Sequence, residues 1–335
     1  MSEMAVAEFD FSGREMFIGS YSEGGFWVDK AIDPWDVEGG KHLVGTIPTP
    51  VAQLDGERCR AFVCVDGLML LHVKHLESSR PDMGDPSNLE VAVKWWDEHL
   101  DYANTLQLCM ESESIKPGNA AEVIAAAVTR FDTCRVGFED GEAVTRNHTS
   151  RRNMVDLRSQ TALWIAMGRE GPAPMEATSS GWATWRVISK DVVLAALRRF
   201  DTASRDPDLV QRLSFIAKAK SAYMRNEYKV AFTLLWFVIE SSAKSLASGM
   251  LSKPGKFPSM SEVLKRLLAD GLIDQPHFDL IDTLRNEVRN RLIHEPASTV
   301  CLPRHCMMAA RAAIDLAVGG ADLELILKWE TGAEF

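Results

Sequence analysis

RNEVRNRLIHEP, residues 285–296, sets three arginines, two asparagines and a histidine into a segment with helical spacing. At 100° per residue, Ile281, Leu284, Val288 and Leu292 fall within an arc of roughly 80°, the face an amphipathic helix turns to its own domain. Arg289, Asn290, Ile293 and His294 spread over roughly 140° on the opposite side. An isoleucine framed by Arg289, Asn290 and His294 on an outward face predicts a surface that meets another body. A second copy of the same helix, related by a twofold axis, would provide one.

The sequence on both sides of this helix is helical as well. After Pro207 strand signals stop. DLVQRLSFIAKAKSAYMRNEYKVAFTLLWFVIESSAKSLASG reads as one or two long helices ending at Gly249, followed by the loop LSKPGKFPS. Ser259 with Glu262 three residues on makes a capping box for SMSEVLKRLLADGLI. PHFDLIDTLRNEVRNRLIHEP and PRHCMMAARAAIDLAVGGADLELILKW complete four or five helices, with Pro276, Pro296 and Pro303 near their starts and stops. Residues 205–335 are therefore expected to form an all-α bundle.

Residues 1–204 have a different texture. FIGSYSEGGFWV, RCRAFVCVDGLMLLHV and CRVGFEDGEAV are rich in aromatic and β-branched residues and read as strands, with Asp140-Gly141 a hairpin signal. NLEVAVKWWDEHLDYANTLQLCM (88–110) and NAAEVIAAAVTRF (119–131) have helical spacing and an asparagine placed to cap each. MGREGPAPMEATSSG (167–181) is a loop by composition, and SKDVVLAALRRFDTASRDPD reads as a connecting helix followed by a breaker. The fold class expected is α+β: a β-rich α+β domain over 1–204, then the helical bundle.

Composition narrows the function classes. The longest strongly apolar run, FTLLWFVI, is far short of the ~20 residues that span a bilayer, so a soluble protein without a membrane partner is expected. The start MSEMAVAEFDF lacks the basic start and apolar core of a secretory signal, which predicts a cytoplasmic location. Six cysteines in a reducing compartment are expected to be thiols. Cys59/Cys64 and Cys301/Cys306 share C-x4-C spacing, with His305 beside the second pair, but neither forms a C-x2-C knuckle. No metal or other cofactor is expected. His72 and His75 in LLHVKH would point to opposite faces of a strand.

The net charge of −10 is unevenly divided. Residues 1–207 carry 21 Lys and Arg against 32 Asp and Glu, whereas residues 208–335 carry 16 against 15. The acidity belongs to the first part. A neutral second part bearing one basic helix suits brief, local contact with RNA and not a long electrostatic grip on a duplex.

Arg289-Asn290-x3-His294, late in a helix of a C-terminal bundle, resembles the R-N-x3-H form of the R-x4-6-H motif of the HEPN superfamily; the resemblance covers roughly residues 208–330. It implies a metal-independent endoribonuclease whose site is completed when two protomers bring their motif helices together. RNA carries its own nucleophile in the 2′-hydroxyl, so such an enzyme has only to move protons and stabilise charge. His294, as general acid or base, would take the 2′-hydroxyl proton or protonate the departing 5′-oxygen. Arg289 would clamp the scissile phosphate. Asn290, four residues before His294, would orient the imidazole or contact the phosphate. The products implied are a 2′,3′-cyclic phosphate and a 5′-hydroxyl.

Supporting residues follow. Glu240, at the edge of the stripe of Phe232, Leu235, Trp236, Ile239, Ala243 and Leu246, would either buttress Arg289 from a neighbouring helix or pair with Lys244 at i+4. Arg285 and Arg291 would raise the local positive potential or touch phosphate as auxiliaries. A plainer account also stands, in which His294 complements a helix C-terminus and Arg289 pairs with surface carboxylates. Many HEPN proteins act as toxin or abortive-infection enzymes in antiviral defence, so the resemblance points to an RNA substrate, tRNA among the candidates. It also fits a sensor role for residues 1–204, which would bind a trigger. The alternative is a non-catalytic HEPN-like adaptor whose helix face only dimerises or binds a nucleotide. A third reading is an unrelated α+β enzyme with its site in residues 1–200, where no phosphate loop, nucleophile elbow or paired metal motif is seen.

Overall fold

The computed structural model describes residues 16–22, 26–28, 50–64, 67–82, 85–119, 122–139, 142–148, 187–248, 258–319 and 323–329. The loop expected at 167–181, the Asp140-Gly141 turn and the stretch LSKPGKF lie outside the described residues. The chain divides into two units, one of Met1–Ile124 with Val128–Arg205 and one of Ala125–Ala127 with Asp206–Phe335. The architecture is α+β: an antiparallel sheet in the first unit and a mostly helical second unit.

Strand β1 spans Met16–Ser20, β2 Trp27–Val28, β3 Pro50–Asp55, β4 Cys59–Cys64, β5 Met69–Val73, β6 Thr133–Glu139, β7 Glu142–His148 and β8 Val187–Ile188. Six of them make one sheet in the order β3-β4-β5-β1-β6-β7, while β2 and β8 pair in parallel. Every neighbouring pair in the six-stranded sheet is antiparallel. The register sets Glu139 opposite Glu142.

Strands β4 and β5 are buried almost throughout, which accounts for their continuous apolar runs in place of alternation. Phe17, Phe62, Cys64, Leu68, Leu70, Cys134 and Val136 form one core cluster. Gly67, between β4 and β5, has φ +79°, and a Cβ there would lie 2.5 Å from the Phe26 carbonyl oxygen, so only glycine fits.

Helix α1 (Lys74–Glu77) begins where β5 ends, which corrects the strand reading of LLHVKH. His72 stays in the strand and lies 3.2 Å from the Met16 carbonyl, whereas His75 moves onto the helix, 2.6 Å from Glu98. Helix α2 (Leu89–Ser114) runs one turn beyond the expected Met110, and the Asn88 side chain makes no capping bond.

Among the described residues of the helix expected over 119–131, only the 3₁₀ turn at Arg130–Asp132 is helical. Side chains elsewhere take up the segment's backbone donors instead. The Val123 N–H donates to Ser114 Oγ at 2.8 Å, the Val128 N–H to Asn104 Oδ1 at 2.6 Å and the Ala127 N–H to Ser221 Oγ. These bonds, with burial of Val123, Ala125, Ala126 and Val128, override the helix preference of an alanine-rich segment. Helix α3 (Lys190–Ser204), capped by Ser189, packs along α2 and on β3 and β4. The expected connecting helix is thus part of the sheet unit's core, with Val193, Ala196, Leu197 and Phe200 buried.

In the second unit α4 (Pro207–Met224) and α5 (Tyr228–Ala247) are two helices. They are separated where Asn226 takes φ 62°, a left-handed conformation asparagine tolerates. Helix α6 (Met260–Ala269) starts with the expected Ser259/Glu262 capping box. It ends on Gly271, φ +69°, where the N–H groups of Leu272 and Gly271 reach back to the carbonyls of Leu267 and Leu268. Helix α7 (Gln275–Leu284), a π-helical turn (Arg285–Arg289) and α8 (Asn290–His294) form the next rod, and α9 (Pro303–Val318) closes the bundle. Leu323–Trp329, expected to be helical, carries no regular structure, and its Trp329 ring packs edge-on against Tyr223.

Helix α5 packs against α4, α6 and α9 and buries Phe232, Leu235, Trp236, Val238, Ile239 and Ala243. Among the described residues α5 is one helix long and apolar enough to cross a membrane by length and composition; 50% of that stretch is buried against the rest of the protein.

Candidate functional site

The helix that carries the arginines and the histidine is not a uniform α-helix. Over Arg285–Arg289 it widens to a π turn, in which the Asn290 N–H donates to the Arg285 carbonyl five residues back. π turns inserted in α-helices recur at functional sites. Ile281, Leu284 and Val288 are buried, as the periodicity requires, and Leu292 is half-buried. Arg289 and Asn290 are half-buried, while Ile293 and His294 are exposed.

Arg289 donates from Nη1 to Asn290 Oδ1 at 3.1 Å, so the guanidinium is held beside the amide. Glu240 comes to the same place from α5. Its carboxylate accepts from Lys244 Nζ at 2.6 Å and from Trp236 Nε1 at 3.2 Å, and it lies within electrostatic reach of Arg289. Burial pushes the Glu240 carboxyl up, but the Lys244 bond and charge, the Trp236 N–H and the Arg289 charge together hold it below the usual carboxylate range. Of the two uses foreseen for Glu240, the ion pair with Lys244 is made, while Arg289 acts on the carboxylate only through its charge, without a direct bond among the described residues.

The flanking arginines differ from each other. Arg285 Nη2 pairs with Asp282 Oδ1 at 2.7 Å and its side chain is only 20% exposed, so part of its charge is met within its own helix. Arg291 is exposed and has no ion pair among the described residues.

The end of α8 is fastened. The Glu295 N–H donates to the Arg291 carbonyl at 2.6 Å, and the Thr299 N–H and hydroxyl both donate to the Glu295 carbonyl, at 3.0 and 2.7 Å. Lys229, at the start of α5, donates from Nζ to the Pro296 carbonyl at 2.7 Å. His294 therefore projects from a backbone tied to α5, and its ring has no hydrogen-bond partner among the described residues. Asn290 accepts from Arg289 and makes no hydrogen bond to the imidazole among the described residues.

Three features escaped the sequence reading. The π turn leaves no mark on the apolar periodicity. Lys229 is a lone lysine with no distinguishing neighbours. Trp236 was assigned to the core, yet its i, i+4 spacing to Glu240 is the signal that reveals the indole N–H as a carboxylate donor.

Among the described residues no group of three or more His, Cys, Asp or Glu side chains is arranged to hold a metal ion. Cys59 and Cys64 are separated by five positions on β4, which puts them on opposite faces, and burial pushes the Cys59 thiol up to about 12. Cys301 and Cys306 do meet, with their sulfurs 3.9 Å apart.

The assembled site thus consists of a half-buried guanidinium bonded to an amide and within electrostatic reach of a carboxylate, one turn from an exposed imidazole, with an isoleucine between them. That set can grip an oxyanion and move a proton. Comparison of the chain with protein-family models, with curated proteins and with solved structures returns no match.

Proposed function

We propose that the helical unit is a HEPN-type, metal-independent endoribonuclease acting as a homodimer through its motif helix. The observation that carries the reading is the Arg289–Asn290 pair at the π turn, backed by Glu240 and set one turn from the exposed His294. Arg289 is placed for phosphate because its second donor edge is not consumed by an ion pair within the described residues, and a guanidinium forks onto two oxygens at once. In the reaction the 2′-oxygen bonds to phosphorus and the bond from phosphorus to the 5′-oxygen breaks. One imidazole removes the 2′-hydroxyl proton and another protonates the leaving oxygen. Two copies of His294, one from each protomer, meet that need. Arg289 stabilises the charge that builds on the non-bridging oxygens.

The exposed Ile293, at 55% of its surface, supports a helix face that packs on a second copy. On α5, Val230 and Phe237 are also exposed and Leu234 is half-buried, at i, i+7 and i+4 of one stripe. These apolar residues equally favour the second reading, a non-catalytic HEPN-like adaptor that only dimerises. On the first reading the acidic N-terminal unit restrains the nuclease until it binds a trigger, as in a toxin or abortive-infection protein.

The deciding experiment incubates the full chain with total RNA and with tRNA in EDTA, and measures oligomeric state by light scattering. His294→Ala is expected to remain a dimer and to cut no RNA. A His294→Ala protein that cuts at the parent rate overturns the catalytic reading, and a parent that dimerises but cuts nothing supports the adaptor.

A further inference from the structure

Cys301 lies just before the N-cap of α9 and Cys306 in its first turn, so the chain folds one thiol back over the other. The turn is fixed by the His305 N–H donating to the Leu302 carbonyl at 3.0 Å and by the Leu302 N–H donating to His305 Nδ1 at 3.2 Å. The two sulfurs are 3.9 Å apart, against ~2.05 Å in a disulfide, so they have about 2 Å to close to join. Cys301 keeps 6% of its surface exposed, beside Val300 at 69%, whereas Cys306 is sealed at 0%.

From this geometry we propose that Cys301 and Cys306 form a peroxide-responsive dithiol, with Cys301 the sulfur attacked first and Cys306 the resolving thiol. The Lys229 ammonium lies within electrostatic reach of the Cys301 sulfur and favours its thiolate. The Cys306 hydrogen bond holds the Cys301 thiol below its ordinary range against the opposing effect of burial, and Lys229 adds to the lowering. Cys306 is displaced upward by that same bond, by burial and by the charge of its neighbour. Each of the other four cysteines is buried, and none of them has the 3.9 Å sulfur contact that joins this pair.

The chemistry balances. The Cys301 thiolate attacks one oxygen of hydrogen peroxide, the O–O bond breaks, and a sulfenic acid and hydroxide form. The Cys306 thiol then attacks the sulfenic sulfur, the S–S bond forms, and water leaves. Two thiols are oxidised by two electrons and one peroxide is reduced to two waters.

Trypsin separates the two sulfurs at Arg304, into LIHEPASTVCLPR (292–304) and HCMMAAR (305–311), so the bridge is read as a cross-link between these peptides. The reduced full chain is pulsed with hydrogen peroxide, alkylated in denaturant and digested, with circular dichroism checking the fold of each variant. The cross-linked pair is expected in the parent and should vanish with dithiothreitol. Cys306→Ser is expected to hold Cys301 as a sulfenic acid that dimedone captures. In Cys301→Ser, and in Cys301→Ala as a second route, oxidation at Cys306 is expected to slow at least ~10-fold. The proposal is overturned if all six thiols of the pulsed parent remain alkylatable, or if Cys306 reacts equally fast without Cys301.

Discussion

Asn290→Asp isolates charge from shape at the candidate site. The substitution keeps an oxygen where Asn290 Oδ1 now accepts from Arg289 Nη1 at 3.1 Å, and it keeps the side-chain volume. What it adds is a full negative charge against the guanidinium. If Arg289 grips the scissile phosphate, that charge comes to lie about 5 Å from the phosphate oxygens, the usual spacing of two anions on one guanidinium. With an effective dielectric between ~20 and ~40 for a half-buried position, the repulsion is about 1.7 to 3.3 kcal/mol, or a ~20- to ~250-fold loss of cleavage rate. Folding should not suffer, because the new carboxylate gains an ion pair with Arg289 worth at most about 1 kcal/mol near the surface. The assay is the initial rate of cleavage of a defined RNA in EDTA, with a urea unfolding curve on the same preparation. Asn290→Ala, which removes the acceptor without adding charge, should lose less than Asn290→Asp. A variant Asn290→Asp that cuts as fast as the parent would falsify the assignment of Arg289 to phosphate.

Other expectations concern stability. Glu113 is 7% exposed and accepts from Arg199 and Lys116, so Glu113→Ala strands a nearly buried Arg199 and should cost about 3–5 kcal/mol in urea unfolding; the double variant Glu113→Met/Arg199→Met should recover most of it. Ser259→Ala removes the capping box of α6, with an expected loss of about 1 kcal/mol. Two histidines should give the units opposite responses to acid. His277, bonded to Asp315 and Asp274, has its pKa raised by those bonds, so the stability it adds to the helical unit is full below ~6.5 and is lost as pH rises through the folded value. Burial pushes His99 down to about 4, so the sheet unit loses stability as pH falls from ~6.5 towards 4, by about 3 kcal/mol in all. Hydrogen exchange at pH 5 should therefore open the sheet unit first, and equal protection of the two units at that pH would contradict the argument.

The strands and most helices were legible because local chemistry and burial agree there. β4 and β5 are apolar throughout and lie in a sheet covered on both faces, and Ser259 caps the helix it was expected to cap. The segment 119–131 failed for the opposite reason. Its alanines favour a helix locally, but Ser114, Asn104 and Ser221, which lie 9, 24 and 94 residues from the groups they bind, supply hydrogen bonds to a non-helical backbone. Nothing in the segment itself encodes those partners. LLHVKH failed because a strand ending and a helix beginning at consecutive residues leave no break in composition.

The motif helix shows where periodicity stops informing a candidate site. Ile281, Leu284 and Val288 give the buried face, and the same arithmetic puts Ile293 and His294 outside, where they are found. The wide turn at Arg285–Arg289 is invisible to that count, because Leu284 to Val288 keeps the same four-residue spacing in either geometry. Yet the turn has chemical consequences. An α-helix carries its backbone bonds four residues back, and here the Asn290 N–H reaches five back to Arg285. One residue more than usual is therefore packed into the turn before the guanidinium. Arg289 and Asn290 are left half-buried, with Arg289 close enough to Glu240 on α5 to lower that carboxyl. Were the same residues wound as a regular α-helix, those beyond Val288 would be turned by a further ~100° relative to α7. Inserting one alanine after the exposed Asn286, a residue beyond the one the π turn already absorbs, should therefore swing Arg289 away from Glu240, and the Glu240 carboxyl, relieved of one stabilising charge, should titrate higher than in the parent. Carbon-detected NMR of the glutamate side chains reads that shift directly, and an unchanged Glu240 titration would mean that the π turn does not set the site.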